Sequence, residues 1–384
     1  FLASQTISLF GSALVQYAIM WYITLNTKSG LMMTISIICG FLPTFFVSPF
    51  AGVWADRYNR KNLIIISDSM IAVTTLILAI LFFMGYEALW LLFLASAVRA
   101  LGSSIQTPAV NSFIPQFVPD DKLLKVNAAN GTIQSVVMLA SPMLSGALLT
   151  FASIEAIFFI DVVTAALAIL TLLFLVRVPA HEKALSKQEN GYFHDLKDGI
   201  VYIRNHDFVK IFFAFCAMFY VFISPAAFLT PLQVTRSFGD DVWRLTAIEV
   251  TFATGMMLGG ILLTSWGGFR NKAYTIALSC LTFGLTTVAL GVVPWFWLYL
   301  AFMTLTGLAV SAFNSPAIAL LQQKVEGEYQ GRVFGVLGMI QSAVMPLSTL
   351  VFGPLADVIR IEWLLIGTGM IIAIMGGMLF GNRT

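Results

Sequence analysis

Three ionisable side chains stand inside long apolar stretches of this sequence: Arg99, Asp161 and Glu249. A charge at the centre of a hydrocarbon layer costs about 2.5–3.5 kcal/mol on insertion scales, so it is retained only where protein or water receives it. Arg99 lies eleven residues into its run, roughly 16 Å deep at about 1.5 Å per residue. With Ser103 and Gln106 it follows i, i+4, i+7 spacing, which predicts one polar stripe on a helix facing a cavity. Asp161 and Glu249 lie nearer the outer surface and, with Arg99, are the candidate proton-coupling residues. For Asp161, a purely structural cap or pairing on a peripheral helix is the plain alternative. Asp68 is expected to pair with Arg57 or Lys61, and Asp357 with Arg360 at i, i+3.

Uncharged polar residues add a second layer. Gln5, Ser8, Ser12 and Gln16 recur at helical spacing on one face, suited either to line a cavity or to bond neighbouring helices. A later stretch carries Phe212, Phe215, Cys216, Phe219 and Tyr220, with Pro225 and Pro231 expected to bend the helix. Such aromatic walls suit a bulky amphiphile, although most of the 33 Phe and 16 Met serve packing and lipid contact. Cys39, Cys216 and Cys280 sit in apolar surroundings, far from any metal spacing, and read as packing residues.

The elements that position these residues follow from composition. Of 384 residues, 59% are hydrophobic and 10% charged, against roughly 25% charged in soluble domains. Too little polar surface remains to coat a water-facing globule. Apolar runs of membrane-spanning length fall at 1–25, 31–54, 63–85, 88–115, 128–150 and 154–177, then at 207–233, 245–267, 272–293, 295–322, 333–357 and 361–381. Residue 1 already lies in such a run, which reads as a membrane helix and not a cleavable signal. The runs are apolar all round and twice the length of barrel strands, so twelve transmembrane helices are predicted.

The long polar stretch 178–206 divides the chain into bundles at 1–177 and 207–384. It holds His181, His194 and His206, expected to be solvated. Of the 21 Lys and Arg residues, sixteen fall on the side shared by the termini and this linker, which predicts that side to be cytoplasmic. The net charge of +2 is too balanced to suggest nucleic acid.

The halves match one another at an offset near 208. Gly52 aligns with Gly260, Ser103 with Ser311, Gln106 with Asn314, and Pro108-Ala109 with Pro316-Ala317. After one deletion, Ile133-Gln134-Ser135 aligns with Ile340-Gln341-Ser342 and Gly146 with Gly353. Six spans per half make the repeats parallel, an arrangement suited to alternating access around a shared cavity. Gln5, Ser12, Gln16, Ser103, Gln106, Phe215, Phe219, Tyr220, Ser311 and Asn314 are the residues expected to line it.

The loop Gly52-Val-Trp-Ala-Asp56-Arg57-Tyr-Asn-Arg60-Lys61 resembles the G-x-x-x-D-R-x-G-R-R/K signature of the major facilitator superfamily, with Asn59 at the glycine position. Asn tolerates a left-handed backbone, so the turn is expected to survive. Asp56 is expected to meet a helix N-terminus and Arg57, Arg60 and Lys61 to meet acids or lipid phosphates, a latch set against the plainer role of a positive-inside loop. In the second half Thr264 replaces the acid, so any latch is asymmetric. Arg99 resembles the superfamily's fourth-span arginine motif, with Gly102 three residues on. Ser141-Pro142-Met-Leu-Ser145-Gly146 resembles the antiporters' G-P-x-x-G-G element. Cys39-Gly-Phe-Leu-Pro43, Thr107-Pro-Ala-Val-Asn111 and Gly331-Arg-Val-Phe334 are similar to the macrolide-efflux branch of the drug:proton antiporters.

The resemblance implies a monomeric, multi-pass plasma-membrane exporter of lipophilic drugs in exchange for protons, needing no cofactor. An importer of a small polar nutrient and a non-transporting sensor are the alternatives. No phosphate-binding G-x-x-x-x-G-K-[ST] loop, zinc-protease H-E-x-x-H or hydrolase G-x-S-x-G element is present, so enzymatic readings find no support.

Overall fold

The computed structural model describes residues 1–116, 118, 120–176 and 200–381, and these are helical with no strand. The helices are α1 (Leu2–Thr27), α2 (Gly30–Arg57), α3 (Arg60–Phe83), α4 (Leu89–Phe113), α5 (Asp120–Phe151) and α6 (Ile154–Phe174). After residue 206 come α7 (Asp207–Phe228), α8 (Thr230–Ser237), α9 (Val242–Trp266), α10 (Lys272–Val292), α11 (Phe296–Lys324), α12 (Gly327–Val358) and α13 (Ile361–Gly381). Twelve spans among the described residues are long and apolar enough to cross a membrane, one formed jointly by α7 and α8. Pro231 opens α8 after the break at Leu229, because proline lacks the N–H that would continue α7. Several helices outrun their apolar runs: α5 begins at Asp120 and α12 at Gly327. Apolar length marks what lipid must cover, whereas backbone hydrogen bonding continues into the polar turns.

Two compact units result, Phe1–Thr27 with Ile35–Gln188 and Lys28–Thr34 with Glu189–Thr384. Within the first, α1 packs on α5 and α6, and α3 on α4 and α6. Within the second, α7 packs on α12 and α13, and α10 on α11 and α13. Counted by span, both units therefore pair first with fifth and sixth, and third with fourth and sixth. Buried aromatic side chains fill the second interior, with Phe219 stacked on Phe313 at 3.9 Å. Apolar residues such as Phe83 and Phe151, 78% and 89% exposed, cover the outside, the surface a hydrocarbon solvent requires. Cys216 and Cys280 are buried and Cys39 half-buried; all three are free thiols.

The turn between α2 and α3 departs from expectation. Asn59 has φ −63° and ψ 113°, not a left-handed backbone, and its side chain accepts hydrogen bonds from the Lys61 and Asn62 amides. It is an N-cap, and Asn271 does the same for α10 through the Ala273 amide.

The first turn of α2 belongs to the second unit. There the Asp357 carboxylate accepts from the amides of Gly30 and Leu31, at 2.7 and 2.9 Å, from the Ser29 hydroxyl and from Arg236 Nη2. A carboxylate at the positive end of a helix satisfies otherwise orphaned N–H groups. The expected Asp357–Arg360 pair is replaced, because α12 ends at Val358 and the extended Ile359 breaks the helical spacing; Arg360 pairs with Glu362 instead. Lys28, with φ 47°, is the one non-glycine residue at positive φ among those described, and its carbonyl is held by Arg236 Nε and Nη2. Gly30 and Gly353 meet backbone to backbone; a methyl group on Gly353 would run into the Thr34 hydroxyl and the Gly30 carbonyl. Lys28 Nζ also lies 2.8 Å from Asp240 and holds that exposed carboxyl below the usual range. This tie persists above the ordinary carboxylate pKa and is lost as pH falls through the depressed one.

Candidate functional site

Four helices of the first unit bring one polar residue each to a common point: Ser12 from α1, Thr75 from α3, Arg99 from α4 and Asp161 from α6. Arg99 Nη1 lies 2.5 Å from Asp161 Oδ2, which also accepts from the Thr75 hydroxyl at 3.0 Å. Ser12 Oγ donates to Asp161 Oδ1 at 3.1 Å, and Arg99 Nη2 donates to the Ser12 carbonyl, also at 3.1 Å. Arg99 Nη1 further touches the Thr75 hydroxyl. Asp161 is fully buried and Arg99 7% exposed, so this is an ion pair within the protein and not at its surface. Gly11 admits it: a methyl group there would strike the Thr164 hydroxyl and crowd Asp161. The two candidate ionisable residues of this unit are thus partners, although the sequence reading placed them at different depths.

The expected stripe on α4 divides. Gln106 turns inward, its Nε2 donating to Asp68 Oδ1 at 2.5 Å, whereas Ser103 is exposed. Asp68 is 1% exposed and does not meet Lys61, which lies seven residues away on the same helix and reaches the Leu173 and Val176 carbonyls instead. On α1, Gln5 and Ser8 are buried and Ser12 holds Asp161, but Gln16 is exposed. On α5, Ser141, Pro142, Ser145 and Gly146 form one buried face; Ser145 Oγ donates to the Leu14 carbonyl at 3.1 Å, so the element seats α5 against α1.

Of the expected latch, the side chains of Gly52, Asp56 and Arg57 lie outside the described residues, as does linker segment 177–199 with His181 and His194. Arg60 donates to the Ala55 and Ser112 carbonyls, and Lys61 to those of the α6 end. Both cations thus sit where helix C-termini present unpaired carbonyls. In the second unit Lys272 similarly donates to the Gly267 carbonyl beyond α9, while Thr264 bonds back to the Gly260 carbonyl.

The second unit contains a cavity of about 480 Å³ lined by Phe219, Tyr220, Ile223, Phe252, Met303 and Asn314, among others. A short hydrogen-bond chain crosses its mostly apolar wall: Gln341 Nε2 donates to the Tyr220 hydroxyl at 2.7 Å, which donates to Asn314 Oδ1 at 3.3 Å. Phe215 stacks on Phe313 beside this cavity without lining it. Ser311 packs instead against Gly259 and Gly260 on α9. Glu249, on α9, is partly exposed and forms no hydrogen bond or ion pair among the described residues.

Thr75, Asp68 and Gln341 escaped the sequence-based site. The signals were present: Asp68 and Thr75 on α3 share the seven-residue spacing of Arg99 and Gln106 on α4, and Gln341 aligns with Gln134 in the repeat. Both residues of each aligned pair, Gln106 with Asn314 and Gln134 with Gln341, line cavities in their own units.

Comparison with known proteins supplies the family. The Major Facilitator Superfamily model matches residues 1–349. Macrolide efflux protein A of Streptococcus pyogenes is 30% identical over 378 residues, covering 97% of this chain and 92% of that protein. Macrolide efflux protein A of Enterococcus faecalis is 29% identical over 83% of this chain and 99% of its own length. Among solved structures, a point mutant of the nucleoside transporter NupG superposes with TM-score 0.74 at 14% identity, covering 99% of this chain and 98% of the other. A bacterial homologue of the iron transporter ferroportin reaches 0.69 at 15% identity over the full length of both chains. With a family match across most of its length and twelve apolar helices, this multi-pass membrane protein is a transporter and not an enzyme, and it belongs to the major facilitator superfamily.

Proposed function

We propose that this transporter exports lipophilic, macrolide-like molecules in exchange for protons by alternating access. The Arg99–Asp161 pair carries the proposal. A buried carboxylate with one guanidinium partner has two stable states: ionised and paired, or protonated with the arginine released to other acceptors. Proton arrival at Asp161 therefore changes which helices Arg99 holds together. Glu249 supplies a second carboxyl, with no counter-charge bonded to it among the described residues. The cavity beside Tyr220 supports a bulky apolar substrate: its wall is mostly apolar with several aromatic rings, and the hydrogen-bonded Tyr220, Asn314 and Gln341 give orientation without demanding a charge. The identity to macrolide efflux proteins supports the same substrate class and the outward direction. The protein works as a monomer in the plasma membrane with both termini and the linker cytoplasmic.

The test is macrolide efflux from proteoliposomes under an imposed proton gradient, with and without an uncoupler. Asp161→Asn lowers uncoupler-sensitive efflux by about tenfold or more, the scale of a 1.4 kcal/mol change. Glu249→Gln and Arg99→Ala lower it as well, and Tyr220→Phe raises the apparent KM for the macrolide. Full activity in all three charge variants at normal abundance, or gradient-driven uptake of a polar nutrient in place of efflux, defeats the proposal.

A further inference from the structure

Asp68 is a buried acid that the proposed exchange does not use. Its Oδ1 accepts from Gln106 Nε2, and its Oδ2 is buried without a hydrogen-bond partner among the described residues. Among the described residues, no charged partner faces it from the helices packed against α3, which are α4 and α6. On α4 the cation is Arg99, held by Asp161; on α6 the facing group is Asp161 itself; on α3, Arg60 and Lys61 are bound to backbone carbonyls. The neighbouring α1 contributes only neutral Gln5, Ser8 and Ser12 to this region.

The register of α3 against α4 makes the arrangement a ladder. Thr75 pairs with Arg99, and Asp68 pairs with Gln106, with seven residues between rungs on each helix. The rungs are therefore about 10 Å apart along the helix axes. The Asp68 rung borders a cavity of about 60 Å³ lined by Gln5, Gln106, Thr107, Asn111, Asn130 and Gln134. Gln5, 9% exposed, also has an unpartnered Nε2. This amide-lined space is large enough for water. An ionised carboxylate here would have only neutral groups for support, the amides of Gln106 and Gln5 and the Ser8 hydroxyl, with the Asp161 carboxyl as an opposing charge, so the state this burial supports is the protonated one.

We propose that Asp68 is a second proton-binding group, in series with Asp161, that exchanges its proton through the amide-lined cavity at the end of the first unit carrying residue 1. Protonation places one hydrogen on Asp68 Oδ2, turning an unpartnered acceptor into a donor while Oδ1 keeps its bond from Gln106. Release returns that proton to water in the cavity. The inference rests on proton coupling at Asp161.

Infrared difference spectroscopy of the full-length protein in bilayers, titrated from acid to alkaline pH, tests it. The wild type shows a protonated-carboxyl band. Asp68→Asn, which keeps the Gln106 contact, removes that band, and Asp161→Asn leaves it. Gln106→Leu shifts the band to higher frequency, because the carbonyl loses its hydrogen bond, and this variant also guards against misfolding of Asp68→Asn. Glu249→Gln identifies any band from the other carboxyl without a bonded counter-charge, and the absence from the wild type of a band that Asp68→Asn removes overturns the assignment. In parallel, wild-type vesicles that move no protons with macrolide overturn the coupling reading beneath it. Vesicles that do, with the band unaltered in Asp68→Asn, overturn this step alone.

Discussion

The Arg99–Asp161 contact shows how one pair sets the terms for its surroundings. Removing a single member of a buried ion pair costs about 3–5 kcal/mol, whereas replacing both by apolar residues of similar volume is often neutral or stabilising. Arg99→Met and Asp161→Leu singly should therefore lower the thermal unfolding midpoint in detergent, while the double variant recovers most of that loss and remains inactive in efflux. Equal losses that simply add would show that the two side chains are energetically independent, contrary to their 2.5 Å contact. The sequence made both residues conspicuous as charges within apolar runs. It left their pairing illegible, because distance along the chain says nothing of which helices touch. Asp357 illustrates the same limit differently: its i, i+3 neighbour Arg360 was the obvious partner, but the helix stops between them and the carboxylate caps α2 instead.

Among the elements, helix existence was legible and helix facing was not. Twelve apolar runs match twelve spans because hydrocarbon thickness dictates length, whereas interior and lipid-facing sides are both apolar and leave little periodicity to read. Ser103 and Gln16 share helical spacing with buried neighbours yet are themselves exposed, a difference the polar pattern alone does not carry. The α2–α3 turn carries a sharper lesson. Asn59 occupies the family's glycine position and works as an N-cap, a role glycine fills almost as well. Asn59→Gly should therefore shift stability by only a few tenths of a kcal/mol, and Asn59→Ala should destabilise by about 1 kcal/mol. Unfolding midpoints of the two variants check this ordering; equal losses would argue against capping by the side chain.

At the scale of the whole molecule, the duplicated sequence pattern is matched by duplicated packing, with the same four span pairings in each unit. Divergence lies in what the equivalent positions carry. The first unit has buried charge at Arg99 and Asp161 and a small amide-lined cavity; the second has a larger aromatic cavity crossed by Gln341, Tyr220 and Asn314. The same span pairings thus enclose different interiors, a buried ion pair in one unit and a larger, mostly apolar cavity in the other. The matching of Gln106 with Asn314 and of Gln134 with Gln341 was visible before any coordinates, but which of these positions would border open space depended on side-chain volumes around them.

The three thiols have a practical consequence. With Cys216 and Cys280 sealed in the interior and Cys39 partly accessible on α2, the native protein should take up one equivalent of a bulky maleimide, and three after denaturation, as counted by mass spectrometry. Replacing Cys39 alone would then yield a background silent to such reagents, ready for fluorophores or spin labels installed wherever motion is to be followed.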